Sequence, residues 1–441
     1  MLLIYVSKLT NRIGYTLNLI FKSILHVPFE ITMNKKYFCS YDGAKLCYSA
    51  EKIGDGLYIN PVSLLFQTSI ETQDIHAVEY EDMPVLFPTY GQDLTLPFDI
   101  FAASFYLVSR YEEYLPHHQD EHHRFKHTDS IAYQLGFLHS PIVNKWADLL
   151  AAKIKERYPQ VEFPSRKFKF VATVDVDMAY SYKHKGILRN IGGVIKDIFC
   201  YDIKSLKART LVLLNKRQDP FDTFDYILKV CEEQHCELLF FILFANYGNY
   251  DKNISYNNSS FQELIKHLGD YGKVGIHPSY ASFGNERIIN EEIRRLSDIL
   301  HKPIYRSRFH FLHFTLPTSY QNLIDNNIRT DFSMGYSSEI GFRAGVCTPF
   351  NFYDLENDYE TTLEIQPFAI MDSAMKMYLN LSPDEAFLKI RTMIDEIKQV
   401  EGTFYGIWHN SNLCNDFGWE DWHLVFEQTL EYANMITNKI R

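Results

Sequence analysis

The hydrophobic pattern changes character near residue 168. Beyond it, short runs of aromatic and β-branched residues alternate with longer stretches whose apolar positions recur every three or four residues. This is the pattern of buried strands alternating with amphipathic helices. The runs predict strands at 168–172, 236–243, 273–277, 303–308, 328–332, 361–368 and 404–408. The stretches between them predict helices over 221–234, 261–271, 286–300, 317–326, 383–400 and 422–440; Phe387, Ile390, Ile394 and Ile397 mark the buried stripe of one. Roughly seven βα-type units over about 270 residues suit an α/β fold, a barrel-like domain. Residues 181–218 read as a basic insertion with helices of its own.

Before residue 160 the pattern is less regular. Leu46-Cys47-Tyr48 and Met83-Pro84-Val85-Leu86-Phe87 are short strand candidates among turn residues. After Pro97 a helix is predicted over 98–114, with Phe101, Phe105 and Val108 on one face and a more polar extension from Ser109 to Tyr114. A second amphipathic helix opens at Ser140-Pro141 and ends near Tyr158-Pro159, and residues 160–167, with Pro164, read as a linker. The chain is therefore expected to divide into a smaller α+β N-terminal domain, 1–160, and an α/β domain, 165–441.

At 46% hydrophobic and 15% aromatic, the chain can bury large cores, which excludes the disordered class. A net charge of −11 argues against general nucleic-acid binding and leaves a neutral sugar or small molecule open. The seven cysteines are odd in number and scattered, without zinc-ribbon spacing, so reduced thiols in a cytoplasmic protein are expected. No basic stretch followed by a long apolar core opens the chain, and no run reaches about 18 apolar residues, so neither a signal peptide nor an integral membrane segment is expected. Nothing in the pattern fixes an oligomeric state. Residues 117–123 hold four His and two acids, yet no apolar element fixes their directions; an exposed polar loop is expected there, with adventitious metal binding the alternative.

The candidate chemistry lies where the strands end. Thr173-Val174-Asp175-Val176-Asp177 follows the opening strand, and the period of two puts Asp175 and Asp177 on the same side. Two carboxylates there are costly unless a cation or proton shares the site; read alone, they cap the next segment. Later strand ends supply Asn246, His277, Arg308 with His310, Asp331, Arg343, Asp372 and His409. A barrel brings such positions together. One carboxylate and two imidazoles form a facial site for Zn²⁺ or a similar divalent ion. A second carboxylate can take a proton from water, a separate His can protonate the leaving group, and an Arg beside the base orients it. That combination is metal-assisted hydrolysis.

These residues also carry a resemblance. Thr173-Val174-Asp175-Val176-Asp177 resembles the first motif of the polysaccharide deacetylase superfamily (the NodB-homology domain, carbohydrate esterase family 4), and Gly275-Ile276-His277-Pro278-Ser279-Tyr280 its second. Arg308-Phe309-His310-Phe311 resembles the third motif and Ile407-Trp408-His409-Asn410 the last. Asp331-Phe332-Ser333-Met334-Gly335-Tyr336 and Gly341-Phe342-Arg343-Ala344-Gly345 look like loops of a subgroup that carries an N-terminal domain of unassigned function, which residues 1–160 resemble. The resemblance covers about residues 165–440. It implies a deformed (β/α)7-type barrel that removes acetyl groups from N-acetylated sugars, with Asp175 as general base, Arg308 as its partner, His409 as general acid, and Asp177 and His277 as metal ligands. The family's second motif carries two His one helical turn apart, whereas Tyr280 and Ala281 stand here. His310 is the candidate replacement ligand, with Ser279 or a water as alternatives. Two other functions stay open: a metal-independent glycoside hydrolase recruiting another acid such as Asp372, and a degenerate domain that binds glycan without turnover.

Overall fold

The computed structural model describes residues 1–438. Its larger sheet is built around Lys169–Val176, paired in parallel with Glu237–Ile242 on one side and Thr403–His409 on the other. Beyond Glu237–Ile242 the sheet continues in parallel through Lys273–Ile276, Arg306–Ser307 and Thr330–Asp331 to Tyr359–Ile365. Beyond Thr403–His409 lies Ile370–Met371. Both flanks thus run into one continuous stretch of chain, 359–371. Phe368 N donates to Met334 O at 3.1 Å and Ala369 N to Tyr405 O at 3.0 Å across the intervening gap. The alternation of strand and helix is a mixed α/β fold, as the hydrophobic pattern predicts.

The strands nearest the site are shorter than predicted. Arg306–Ser307 and Thr330–Asp331 pair over two residues each, and beyond them side chains take over from the ladder. Asp331 accepts from Ser307 Oγ at 2.8 Å and Ser333 N at 2.8 Å, while Ser333 Oγ accepts from Phe309 N at 2.9 Å. Gly275 lies where a Cβ would come within 2.7 Å of the Phe241 ring and 2.9 Å of Arg306 O, so a side chain would push these strands apart. The antiparallel strand Phe350–Asp354, not predicted, covers the outer edge of Tyr359–Ile365.

The first 160 residues hold a second sheet, in the order Phe29–Thr32, Leu2–Val6, Lys45–Tyr48, Leu57–Ile59. All its pairs are parallel with helices between the first three strands of the chain, and an antiparallel hairpin, Ala77–Tyr80 with Met83–Leu86, follows, so that parallel and antiparallel pairs both occur in the region expected to be α+β. The helix predicted over 98–114 is Ile100–Val108; Arg110 is left-handed (φ 56°) and Tyr111–Tyr114 is a 3-10 turn. The polar extension is buried. Arg343 grips Glu113 at 2.8 and 2.6 Å, and Arg110 reaches Glu113 and Glu112 at 2.7 Å each. Satisfying four buried charges outweighs helix propensity here. These pairs lie at the seam between the two sheets, and one apolar cluster runs through it from Leu2 to Ala433.

The remaining helices fall close to their predicted spans. Phe224–Glu233 starts three residues late because Asp219 accepts from Phe221 N and from Ser181 N and Tyr182 N, which holds residues 219–221 in a turn. The last helix is Trp422–Asn438; Lys439 and Ile440, included in the prediction, lie outside the described residues. The basic insertion forms the helices Ile187–Phe199 and Ile203–Leu213. Among the described residues no helix is long and apolar enough to cross a membrane, and the seven cysteines are unpaired.

Candidate metal centre

Four strand ends converge on one point. Asp175 closes Lys169–Val176 and Asp177 lies just past it, His277 follows Lys273–Ile276, Arg308 and His310 follow Arg306–Ser307, and His409 ends Thr403–His409. His277 Nε2 stands 3.2 Å from Asp177 Oδ1 and 3.8 Å from Asp175 Oδ2. His310 Nε2 and His409 Nε2 lie 3.6 and 3.7 Å from Asp177 Oδ2. Arg308 Nη1 donates to Asp175 Oδ1 at 2.7 Å and its Nε to Phe332 O at 3.0 Å, with the guanidinium 4.4 Å above the Phe241 ring.

Each imidazole is oriented by its other nitrogen. His277 Nδ1 bonds Arg308 O, His310 Nδ1 bonds Asp251 Oδ1 at 2.9 Å, and His409 Nδ1 bonds Asp372 Oδ1 at 2.7 Å. A carbonyl or carboxylate acceptor calls for a proton on Nδ1, which turns Nε2 inward, as a lone pair in the neutral ring and as an N–H in the charged one. His277 Nε2 and Asp177 Oδ1 then face each other as two acceptors, and Asp177 Oδ1 is buried without a hydrogen-bond donor. Such a pair repels unless a cation or a proton sits between. Ligand atoms of Asp177, His277 and His310 all lie within 4.8 Å of one another. One carboxylate and two imidazoles suit Zn²⁺ and other divalent ions that accept mixed N/O ligands.

The electrostatics agree with a site built for positive charge. Burial alone would raise the Asp177 carboxyl, but the positive charge of the neighbouring imidazoles, His310 first and then His409, holds it well below the usual carboxylate range. Burial would lower His310, but Asp177 and Asp251 raise it to about 9. His409 is likewise raised, to about 10, against its burial, chiefly by Asp372.

At the place of the family's second His, Tyr280 turns away. Its hydroxyl meets His122 Nδ1 at 3.1 Å, and its ring packs 4.2 Å from those of Tyr250 and His313. Its backbone N–H and that of Ala281 are both taken by Asp251, at 2.8 and 3.2 Å. Ser279, the alternative ligand, does not line the cavity above the site.

That cavity, about 250 Å³, is floored by Asp175, Asp177, His277, His310 and His409 and walled by Phe311, Met371, Met377, Tyr378 and Arg124. Arg124 belongs to the His-rich loop expected to be exposed. His118, Gln119, Glu121 and His123 are exposed as expected, but His122 and Arg124 are buried: Arg124 Nη1 donates to Phe311 O at 2.8 Å and its Nε to Asp120 Oδ2 at 2.6 Å. The loop is held by the site wall, a tertiary contact that its own composition does not reveal.

Other strand-end candidates are elsewhere. Asn246 is exposed, Asp331 is tied to Ser307 and Ser333 inside the sheet, and Arg343 belongs to the Glu113 pair. Asp372 lies behind His409, also accepting from His409 N at 2.9 Å and Asn412 Nδ2 at 3.1 Å. Asp251 was missed. It sits in a polar loop after Glu237–Ile242 with no periodicity to single it out.

Residues 2–159 match the model of a family of unknown function (DUF7033). No curated protein matches the chain. Similar solved structures include a putative polysaccharide deacetylase from Mycobacterium smegmatis, at 12% identity and TM-score 0.41, covering 62% of this chain and 86% of that one. Puue allantoinase is similar at 9% and 0.39, covering 61% and 85%. A probable polysaccharide deacetylase from Pseudomonas aeruginosa PAO1 is similar at 10% and 0.38, covering 61% and 86%.

Proposed function

We propose that this chain is a metal-dependent hydrolase that removes the acetyl group from an N-acetylated amino sugar in a glycan or glycolipid precursor. The observation that carries the reading is the pair of acceptors, His277 Nε2 and Asp177 Oδ1, facing each other 3.2 Å apart beside His310. In this reading the larger sheet closes through residues 359–371 into a seven-stranded barrel, and residues 1–160 are a domain of their own that adds Arg124 to the site wall.

Asp177, His277 and His310 hold the ion, which when bound polarises the acetyl carbonyl and acidifies water. Asp175 takes the proton of the attacking water; Arg308 fixes the carboxylate's direction through Nη1 and is itself anchored on Phe332 O. His409, kept protonated by Asp372, gives its proton to the amine nitrogen as the carbon–nitrogen bond breaks. Acetate and a free amine result. Phe311, Met371 and Met377 offer apolar surface for a sugar face, and Tyr378 a hydroxyl.

The test is acetate release from N-acetylated chito-oligosaccharides, with and without chelator, by the parent and by Asp175→Asn. Release should stop with chelator and fall about 10²- to 10⁴-fold in the variant while its melting curve is unchanged. Acetate release that survives both changes contradicts the reading. Reducing sugar freed without acetate would point to a glycoside hydrolase, and tight oligosaccharide binding without turnover to a binding protein.

A further inference from the structure

The helix Ile187–Phe199 is amphipathic but faces the wrong way for a packed helix. Ile187, Leu188, Ile191, Ile195, Ile198 and Phe199 are 79, 86, 52, 49, 56 and 80% exposed. At about 100° per residue these six positions share one face, an arc of about 120°. The opposite, polar face is turned inward: Asp197 is buried and pairs with Arg209 of Ile203–Leu213 at 2.9 Å. The neighbouring turn and second helix add Tyr201 at 90% and Ile203 at 75% exposure. An exposed apolar stripe this continuous marks an interaction surface.

Charge selects the partner. Residues 181–218 carry nine Lys and Arg against two acids, a net +7 in a chain of net −11. Lys196 and Lys207 make no ion pair among the described residues. Apolar side chains flanked by unpaired lysines on a short helical pair are what an anionic bilayer surface accepts: the apolar face enters the acyl boundary and the lysines meet the headgroups. A twofold contact between copies would instead set +7 against +7. We infer that the helical pair 187–213 docks this protein on an anionic lipid surface. The pair is rooted at the site end of the sheet, since Arg189 bonds Asn253 O at 3.1 Å and Asn253 Nδ2 bonds Val176 O at 3.1 Å. If the proposed hydrolase reading holds, docking also turns that end toward lipid-linked sugar.

The test is sedimentation of the full chain with vesicles of phosphatidylcholine alone or mixed with phosphatidylglycerol, which reads binding without reference to catalysis. The parent should bind the mixed vesicles and lose binding in high salt. Leu188→Ser with Phe199→Ser, and separately Lys196→Glu with Lys207→Glu, should each weaken binding about tenfold or more at an unchanged melting temperature. A parent that stays in the supernatant with anionic vesicles at low salt overturns the proposal. So do variants that bind as well as the parent, or a dimer in ultracentrifugation that Leu188→Ser with Phe199→Ser dissolves while vesicle binding is absent.

Discussion

One carboxylate, Asp251, takes His310 Nδ1 and the N–H groups of Tyr280 and Ala281 together. It aims one proposed ligand and holds the loop in which the resembling family carries another. An amide at this position offers a single carbonyl oxygen where two carboxylate oxygens now accept. Asp251→Asn should therefore lower metal affinity about 10- to 100-fold, measured by titration calorimetry, without loss of the folded state. Asp372 acts on His409 in the same way. Since Asp372 helps to raise His409 to about 10, Asp372→Asn should lower that value and move the alkaline limb of acetate release to lower pH. An unmoved alkaline limb would remove His409 from the general-acid role. Asp175, Asp177, His277, Arg308, His310 and His409 were legible because each follows an apolar run. Asp251 and Arg124 were not, because their positions come from contacts between segments far apart in sequence.

Among elements, the break after Val108 matters most to the architecture. A helix continued through 109–114 would carry Arg110, Glu112 and Glu113 away from Arg343; the left-handed Arg110 turns them into the seam. Burial would raise the Glu113 carboxyl, but Arg343 and Arg110 depress it to about 2. A depressed carboxylate adds stability above its unfolded value, near 4.5, and loses it as pH falls toward 2. Glu113→Gln should thus cost about 3 kcal/mol in denaturant unfolding at neutral pH, and the difference should shrink on acidification. A loss that does not change with pH would assign Glu113 a packing role alone. The break could not be read from the sequence, since Tyr111-Glu112-Glu113-Tyr114 has ordinary helix propensity. Pro383–Gln399 could, because its apolar stripe is regular; in the structure a capping box of Ser382 with Glu385 fixes its start.

For the whole molecule, the fold class followed from alternating periodicities, whereas the route by which the sheet's flanks meet did not. Ile370–Met371, only two residues long, leaves almost no pattern, and Phe350–Asp354 lies in a stretch without alternation. In the proposed site, metal binding would be coupled to protons. His310 is raised to about 9, so at neutral pH a metal must displace its proton. Calorimetry in buffers of different ionisation enthalpy should show proton release on Zn²⁺ binding near pH 7, and affinity should rise as pH approaches about 9. Binding without proton release would mean that His310 is not a ligand.

In the proposed reading, Asp177, His277 and His310 together bind one divalent ion. The most direct measurement is metal content by mass spectrometry after equilibration with Zn²⁺ and exhaustive dialysis, for the parent and for His310→Ala. The parent should retain about one Zn²⁺ per chain and the variant a substoichiometric trace, as expected when a three-residue site loses one ligand. A parent that retains no metal, or a variant that retains as much as the parent, would contradict that reading.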